Sequence, residues 1–379
     1  MSRSPAPEET VLSTTSKSSR PAEPAAAPAF PGTTRSRIVE LRSDTFTLPT
    51  ERMRAVMGAA EVGNDDYGED PTVTGLEETA AALLGKQAAC LMPSGTMANL
   101  AAILVHCPRG SSLIAGIESD IHLYEGRGAA TLGGVAYQAV PHATDGGFDA
   151  DALAAALPED WDDPQFSRPS LLCLENPHNR AGGVITPPHR VGAAISFART
   201  HGMAVHLDGA RIFNAAVATG RSVADLAADC DSVQFCLSKG LGAPVGSMLA
   251  GSAEFITAAR RWRKVLGGSM RQAGIVAAAG LLATTEMVDR LADDHRRAAW
   301  LGDTVAKLPG ISLVATPQTN VVLFALDGAD RAPAVIAAAA ERGVRLLDFG
   351  RGRIRATTHL DVTDDDIEMA AAVLQELLR

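Results

Sequence analysis

The chain has 379 residues, 46% of them hydrophobic and 21% charged, with a formal net charge of −10. That balance describes a globular chain with ample material for a core and a length that suggests two domains. No window approaches 18 consecutive apolar residues, which excludes a membrane span; the negative charge excludes a protein that works by neutralising nucleic-acid phosphates, but leaves room for one small phosphorylated cofactor in a local pocket.

Residues 1 to 36 are built from Ser, Pro, Ala and Thr with almost no large apolar side chain, and a disordered tail is expected there. Pro21, Pro24, Pro28 and Pro31 interrupt any apolar run that a secretory signal would need, and Glu8, Glu9 and Glu23 argue against an organelle transit peptide. From Arg37 onward, apolar strand-like runs alternate with alanine-rich helical stretches. A helix is expected over Val73 to Leu84, stopped by Gly85, then a strand at Ala88 to Met92, the turn Pro93-Ser94-Gly95-Thr96, and a helix from Ala98 to His106. Strand-like runs recur at Ser112–Ile114, Ser170–Leu174, Ala204–Leu207 and Ser232–Leu237. Strands separated by helices imply parallel pairing and a doubly wound α/β sheet. One long helix is expected from Gly274 to about Leu308. A strand near Asn320–Leu326, a helix near Ala332–Arg342, a strand at Arg353–Ala356 and a last helix Asp364–Leu378, with Thr363 as its N-cap, complete a small α+β unit.

Cys90, Cys107, Cys173, Cys230 and Cys236 are odd in number and form no C-x-x-C pair, so they read as small core residues of a cytoplasmic protein, and no metal site is expected. Lysine is scarce. Among the five lysines, Lys239 ends an apolar strand and is followed by Gly240-Leu241-Gly242. Desolvation in such a place favours the neutral amine, which can condense with a carbonyl. About thirty residues earlier, Asp208 closes the run Val205-His206-Leu207, where open α/β sheets bind ligands. The third element, Ser94-Gly95-Thr96, offers two hydroxyls and helix-start N–H groups to an anion. Neither G-x-x-x-x-G-K-[ST] nor G-x-G-x-x-G after a first strand is present. Phosphate turn, strand-end Asp and strand-end Lys, in that order, fit pyridoxal phosphate. Separately, each has a blander reading: a helix cap, a turn, a chance Ser-Lys-Gly. His106, His142, His189 and His201 read as surface or helix-end residues, and His206 as a packed one.

The blocks Leu41-Arg42-Ser43-Asp44-Thr45, Tyr67-Gly68-Glu69-Asp70-Pro71-Thr72, Pro93-Ser94-Gly95-Thr96, Glu175-Asn176-Pro177-His178-Asn179, His206 to Arg211, Leu237 to Gly242 and Met270 to Gly274 stand in an order that resembles the low-specificity L-threonine aldolase family, the β-eliminating lyase group of fold-type I pyridoxal-phosphate enzymes. The resemblance runs from about Ile38 to the C-terminus. It implies a large cofactor domain with an N-terminal arm over residues 37–265 and a small C-terminal domain over 266–379. It further implies Lys239 as the Schiff-base lysine, Asp208 as partner of the pyridinium nitrogen, Arg211 near the ring hydroxyl, and Ser94, Gly95 and Thr96 around the phosphate, helped by Arg271 of a neighbouring subunit. Ser43 and Arg355 would hold the substrate carboxylate, His178 would sit near the β-hydroxyl, and Tyr67 would line the site from the partner chain of a homodimer or homotetramer. The implied reaction is retro-aldol cleavage of a β-hydroxy-α-amino acid, such as L-threonine or L-allo-threonine, to glycine and an aldehyde.

One position departs from the family. Where the family stacks a histidine on the cofactor ring, this chain has Asp120, with His122 two residues on. In a strand the two would share a face. Three readings follow: His122 takes the stacking place and the enzyme is an ordinary aldolase; Asp120 acts as a base or pairs with a cationic or hydroxylated substrate, as in a specialised aldolase or transaldolase; or the scaffold runs racemisation or β-elimination. A cofactor-binding scaffold without turnover is the alternative outside catalysis, and a retained lysine with a carboxylate clamp argues against it.

Overall fold

The computed structural model describes residues 38–378, and the tail expected over residues 1–36 lies outside them. After β1 (Val39–Glu40), the central sheet takes β2 (Ala88–Met92), β3 (Ser112–Gly116), β4 (Ala136–Val140), β5 (Pro169–Glu175), β6 (Ala204–Asp208), β7 (Ser232–Cys236) and β8 (Ser247–Gly251). They lie side by side in the order β2-β8-β7-β6-β5-β3-β4. The five strands from β3 to β7 pair in parallel, and β8 runs antiparallel to both β7 and β2. The mainly parallel, doubly wound α/β sheet expected from the alternation is therefore present. Strands β3 and β7 are buried along their whole length, as continuous runs such as Leu113-Ile114-Ala115 require when helices cover both faces.

Two antiparallel pairings in succession leave β2 pointing the same way as β7. The C-terminal ends of β2, β3, β5, β6 and β7 therefore meet at one edge of the sheet. Helix Pro71–Leu84 begins at Asp70, whose side chain accepts from the N–H groups of Thr72 and Val73, and stops at Gly85, which adopts φ +62°.

The C-terminal strands are β9 (Ile311–Leu313), β10 (Val321–Leu326), β11 (Val344–Arg345), β12 (Leu347–Asp348) and β13 (Arg353–Thr357). Four of them form an antiparallel sheet, β12-β13-β10-β9, while β11 pairs in parallel with β1. The closing helix Asp364–Leu377 carries the expected Thr363 N-cap, reciprocated by Asp366.

The single helix expected from Gly274 to Leu308 is two, Gly274–Glu286 and Leu291–Val305. Neither glycine nor proline marks the break. The halves bury against different partners: the first against the helices Pro71–Leu84 and Glu51–Gly58, the second against Asp364–Leu377, Ile212–Thr219 and β10. Tertiary packing thus overrides a locally uninterrupted helical signal.

The large hydrophobic core runs through Ala273, Ala277, Leu282, Met287 and Leu291, whereas Val39, Leu41 and the residues from Ala298 onward build a second core under the small sheet. The first core thus extends past residue 265 as far as Leu291, and the 39–41 arm packs with the second core. All five cysteines are free and buried.

Candidate active site

The edge where the strand ends meet holds a cleft of about 200 Å³. Its walls come from the turn after β2 (Pro93 to Thr96), the segment after β3 (Asp120, Tyr124 and Glu125), the end of β6 (Asp208), and the end of β7 with the segment after it (Cys236, Ser238 and Lys239). Residues from four separate strand ends therefore face one another, the arrangement that parallel α/β sheets provide for ligands.

Ser94 caps helix Gly95–His106, its Oγ accepting from Met97 N at 3.2 Å. Ala98 N bonds the Ser94 carbonyl at 3.1 Å. Among the described residues, the N–H groups of Gly95 and Thr96 have no acceptor in the chain, so the start of a 12-residue helix presents two free donors beside the cleft. Glycine is required at 95 for a packing reason: a Cβ there would stand 2.9 Å from Cys236 Sγ and 3.4 Å from Gln234 Oε1.

Register places Glu175, Asp208 and Gln234 abreast on β5, β6 and β7. Asp208 is buried and accepts hydrogen bonds from Ala210 N at 3.1 Å, Asn99 Nδ2 at 2.9 Å and Gln234 Nε2. Burial pushes its carboxyl upward, and the Asp120 charge adds to this, while Lys239 opposes. Asn99 also donates to Glu125 Oε1 at 2.8 Å. Burial, with the Asp208 charge next, raises the Glu125 carboxyl well above the usual range. Glu175, which accepts from Asp120 N and Asn179 N at 2.8 Å each, is raised by burial and by Asp120 and Asp208.

Lys239 is half-buried, and among the described residues its ammonium makes no hydrogen bond or ion pair. Its backbone is held instead: Thr47 Oγ1 donates to the Lys239 carbonyl at 3.0 Å. Arg211 is buried against Asp44 in a two-pronged ion pair, Nε to Oδ2 at 2.8 Å and Nη2 to Oδ1 at 2.6 Å, with Asn320 Nδ2 on the same carboxylate at 3.0 Å. Burial works against ionisation of Asp44, yet the Arg211 charge holds it well below the ordinary carboxylate range. Arg355 Nη1 donates to Asn179 Oδ1 at 2.7 Å and Nη2 to the Arg42 carbonyl at 2.9 Å; its Nε is buried with no partner, and burial pulls the guanidinium down to about 10. Ser43 Oγ accepts from Thr45 N at 3.2 Å, capping the short turn that presents Asp44.

Asp120 and His122 do not share a face. Residues Asp120–Leu123 form one helical turn, not a strand; Asp120 lines the cleft, and His122 is turned into the protein against Tyr137, with Nε2 3.2 Å from Arg127 Nη2. Two residues along a helix rotate a side chain by about 200°, which separates them. His178 is also absent from the cleft wall, as are Ser43, Arg211 and Arg355; Arg355 reaches the wall residue Asp120 through Asn179. His178 lies 4.2 Å from the His142 ring, centroid to centroid, and its Nδ1 accepts from Ala181 N at 3.3 Å; burial pushes it down to about 3.

Tyr67 and Arg271 stand elsewhere. Both line a second cleft of about 620 Å³ with Asp66, Arg260, Arg263, Lys264 and Ser269. Arg271 and Lys264 each pair with Asp66, and Tyr67 is 77% exposed.

Asp44, Asn99, Glu125, Asn179 and Gln234 are polar groups that the sequence reading gave no role. Two of them had a local signal: Asn99 lies one helical turn after Thr96, and Gln234 precedes Cys236 by two and so shares its strand face. The donor set fits a phosphorylated pyridine aldehyde: open N–H groups at a helix start, a buried carboxylate and an unpaired amine share one cleft. The fold is that of the fold-type I pyridoxal-phosphate enzymes; threonine aldolase from Leishmania major superposes with a TM-score of 0.77 at 20% identity, over 90% of this chain and 100% of that one.

The chain matches the beta-eliminating lyase family over residues 40–329. Low-specificity L-threonine aldolase 1 of Arabidopsis thaliana is 41% identical over 90% of this chain and 97% of that protein. Low specificity L-threonine aldolase of Escherichia coli strain K12 is 43% identical over 88% and 98%. The chain belongs to the beta-eliminating lyase family and, within it, to the low-specificity L-threonine aldolases.

Proposed function

We propose that this protein is a pyridoxal-phosphate-dependent aldolase that cleaves, or forms, a β-hydroxy-α-amino acid such as L-threonine or L-allo-threonine, giving glycine and an aldehyde. The observation that carries the reading is that Lys239 and Asp208 line one cleft with the open start of helix Gly95–His106. Gly95 and Thr96 N–H, with the hydroxyls of Ser94 and Thr96, hold the phosphate; Lys239 supplies the amine for the aldehyde, and Asp208 pairs with the ring nitrogen, with Arg211 near the ring hydroxyl. When bound, pyridoxal phosphate supplies an electron sink for one bond at the substrate's Cα.

The chain's own groups choose that bond. Arg355, with its unpaired Nε, and Ser43 hold the substrate carboxylate and so fix the rotation about Cα. Cleavage of Cα–Cβ requires an acceptor for the β-hydroxyl proton. Asp120 lines the cleft and His178 stands behind Glu175, so Asp120 is the nearer candidate. The same position supports a second reading, a transaldolase, racemase or β-eliminating lyase, or an aldolase for substrates whose side chain donates to a carboxylate. Because Arg271 and Tyr67 line a different cleft of the same chain, they serve the site of a neighbouring copy in a homodimer or homotetramer. No helix among the described residues is long and apolar enough to cross a membrane, and the buried free cysteines support a cytoplasmic location.

The test is incubation with a panel of β-hydroxy amino acids and with alanine, measuring glycine plus aldehyde, racemisation and ammonia, with Lys239→Ala and Asp120→His in parallel. The parent is expected to release aldehyde and glycine, and Lys239→Ala to lose the activity by about a thousandfold or more. No aldehyde from any member, together with active racemisation of alanine, would transfer the proposal to the second reading.

A further inference from the structure

Asp208 ends a hydrogen-bond chain that runs from the cleft into the core. Asn99 Nδ2 donates to Asp208 Oδ2 at 2.9 Å, and Asn99 Oδ1 lies 2.9 Å from His206 Nε2. On the far side of that ring, His206 Nδ1 is 2.8 Å from Ser232 Oγ, which in turn is 2.8 Å from His106 Nε2. His206 and Ser232 have no exposed surface, and Asn99 has 1%. His206 shares a face with Asp208 because they are two residues apart on β6, and Asn99 reaches that face from helix Gly95–His106.

The proton positions along this chain follow from its cleft end. Asn99 turns its amide nitrogen to both Asp208 and Glu125, which leaves its oxygen facing His206. His206 Nε2 must therefore be the donor to Asn99 Oδ1. Burial keeps His206 neutral, pushing it down to about 3, so its Nδ1 accepts from the Ser232 hydroxyl. The Ser232 oxygen is then free to accept from His106 Nε2. Every bond points toward Asp208, and bonds aligned in this way polarise one another. On Asp208 itself, Oδ1 is engaged by Ala210 and Gln234, while Oδ2 carries Asn99 alone and keeps capacity for one bond more.

We propose that Asn99 and His206 are positioning residues for Asp208: through this one-directional chain they hold its carboxylate as an acceptor toward the ring nitrogen of a bound pyridine. The inference rests on the cleft's reading as a pyridoxal-phosphate site. A histidine that only filled space would be replaceable by an apolar ring. One that fixes the Asn99 amide would be replaceable only by a side chain with a donor and an acceptor.

Three variants separate these cases: His206→Phe, which keeps the ring and removes both nitrogens; His206→Gln, which keeps a donor and an acceptor; and Ser232→Ala, which cuts the chain one link further out. The readouts are the dissociation constant of pyridoxal phosphate for the unloaded protein, the pH at which the visible absorption of the loaded protein changes, and the thermal midpoint of the unloaded protein. His206→Phe is expected to weaken binding about tenfold and to move the absorption midpoint. His206→Gln should return both to within about threefold of the parent, with Ser232→Ala in between. Should His206→Phe fail to fold, the other two carry the decision. Parental affinity and an unmoved absorption midpoint in His206→Phe or in Ser232→Ala overturns the inference, as does His206→Gln being no better than His206→Phe or, where that variant does not fold, no better than Ser232→Ala. A parent protein that takes up no pyridoxal phosphate overturns the reading of the cleft as well, whereas a parent that binds it alongside unaffected variants sinks the positioning role alone.

Discussion

Asp120 and Arg355 are joined by a single amide: Asn179 donates from Nδ2 to the Asp120 carboxylate at 3.1 and 3.3 Å and accepts at Oδ1 from Arg355 Nη1 at 2.7 Å. A group proposed to hold the substrate carboxylate is thereby tied to the carboxylate that departs from the family pattern. Asn179→Leu removes both bonds while keeping the volume. It is expected to raise KM for L-threonine and L-allo-threonine about tenfold, because Arg355 loses the partner that aims it. Asp120→Asn keeps the contact with Asn179 possible and removes the charge, so its loss is expected in kcat. Steady-state kinetics on both variants provide the measurement, and an unchanged KM in Asn179→Leu would break the proposed link.

Gly95 predicts a second outcome. A methyl group at this position meets Cys236 Sγ at 2.9 Å, so the turn or the buried sulfur must shift. Gly95→Ala is therefore expected to displace the turn and weaken pyridoxal phosphate binding about tenfold. Cys236→Ala removes the obstructing sulfur, so the double variant should regain most of the loss. Titration of the unloaded proteins measures the cycle; purely additive effects would place the damage elsewhere.

The buried histidines are expected to cost stability as the solution is acidified from neutral pH, against the opposite contribution of the raised Glu125 and Glu175 carboxyls. Burial pushes His178 and His206 down to about 3 and His106 to about 4, against an ordinary value of about 6.5. A lowered histidine binds fewer protons folded than unfolded, so its contribution is complete above pH about 6.5 and is lost as the pH falls toward the folded value. Each such histidine adds a slope of order 1 kcal/mol per pH unit in that window. Denaturant midpoints between pH 7 and 4.5 measure the effect, and His206→Gln should flatten the curve. Equal slopes in parent and variant would contradict the buried, neutral state of His206.

Lys239, Asp208 and the Pro93–Thr96 turn were legible because their signals are local: a strand end, flanking glycines, a helix start. Their partners were not. Asp44 and Arg211 are 167 residues apart, Asn99 and Asp208 109, and Arg355 and Asn179 176, so only the folded sheet edge brings them together. The conditional reading of Asp120 and His122 as strand neighbours failed because four residues carry too little periodicity to separate a strand from one helical turn. The strands β4 and β8 went unread for a related reason: Ala136-Tyr137-Gln138-Ala139-Val140 is interrupted by Gln138 and buried only at its last residue, and Ser247-Met248-Leu249-Ala250-Gly251 is rich in small residues. Tyr67 and Arg271 could be singled out only through resemblance, since nothing near them in sequence points to a ligand.

Those two residues allow a test of assembly that needs no structure of the oligomer. Arg271 lines a cleft separate from that of Lys239 within one chain. If it completes the site of a neighbour, a Lys239→Ala chain still carries a working Arg271, and an Arg271→Ala chain still carries a working Lys239. Each variant alone is expected to be impaired. After unfolding and refolding together in equal amounts, half of the dimers are mixed, and one of the two sites in each mixed dimer draws both intact residues. Activity should then recover to about a quarter of the parent's. If Arg271 served its own chain, every site would lack one residue or the other, and the mixture would do no better than the average of the two separate variants.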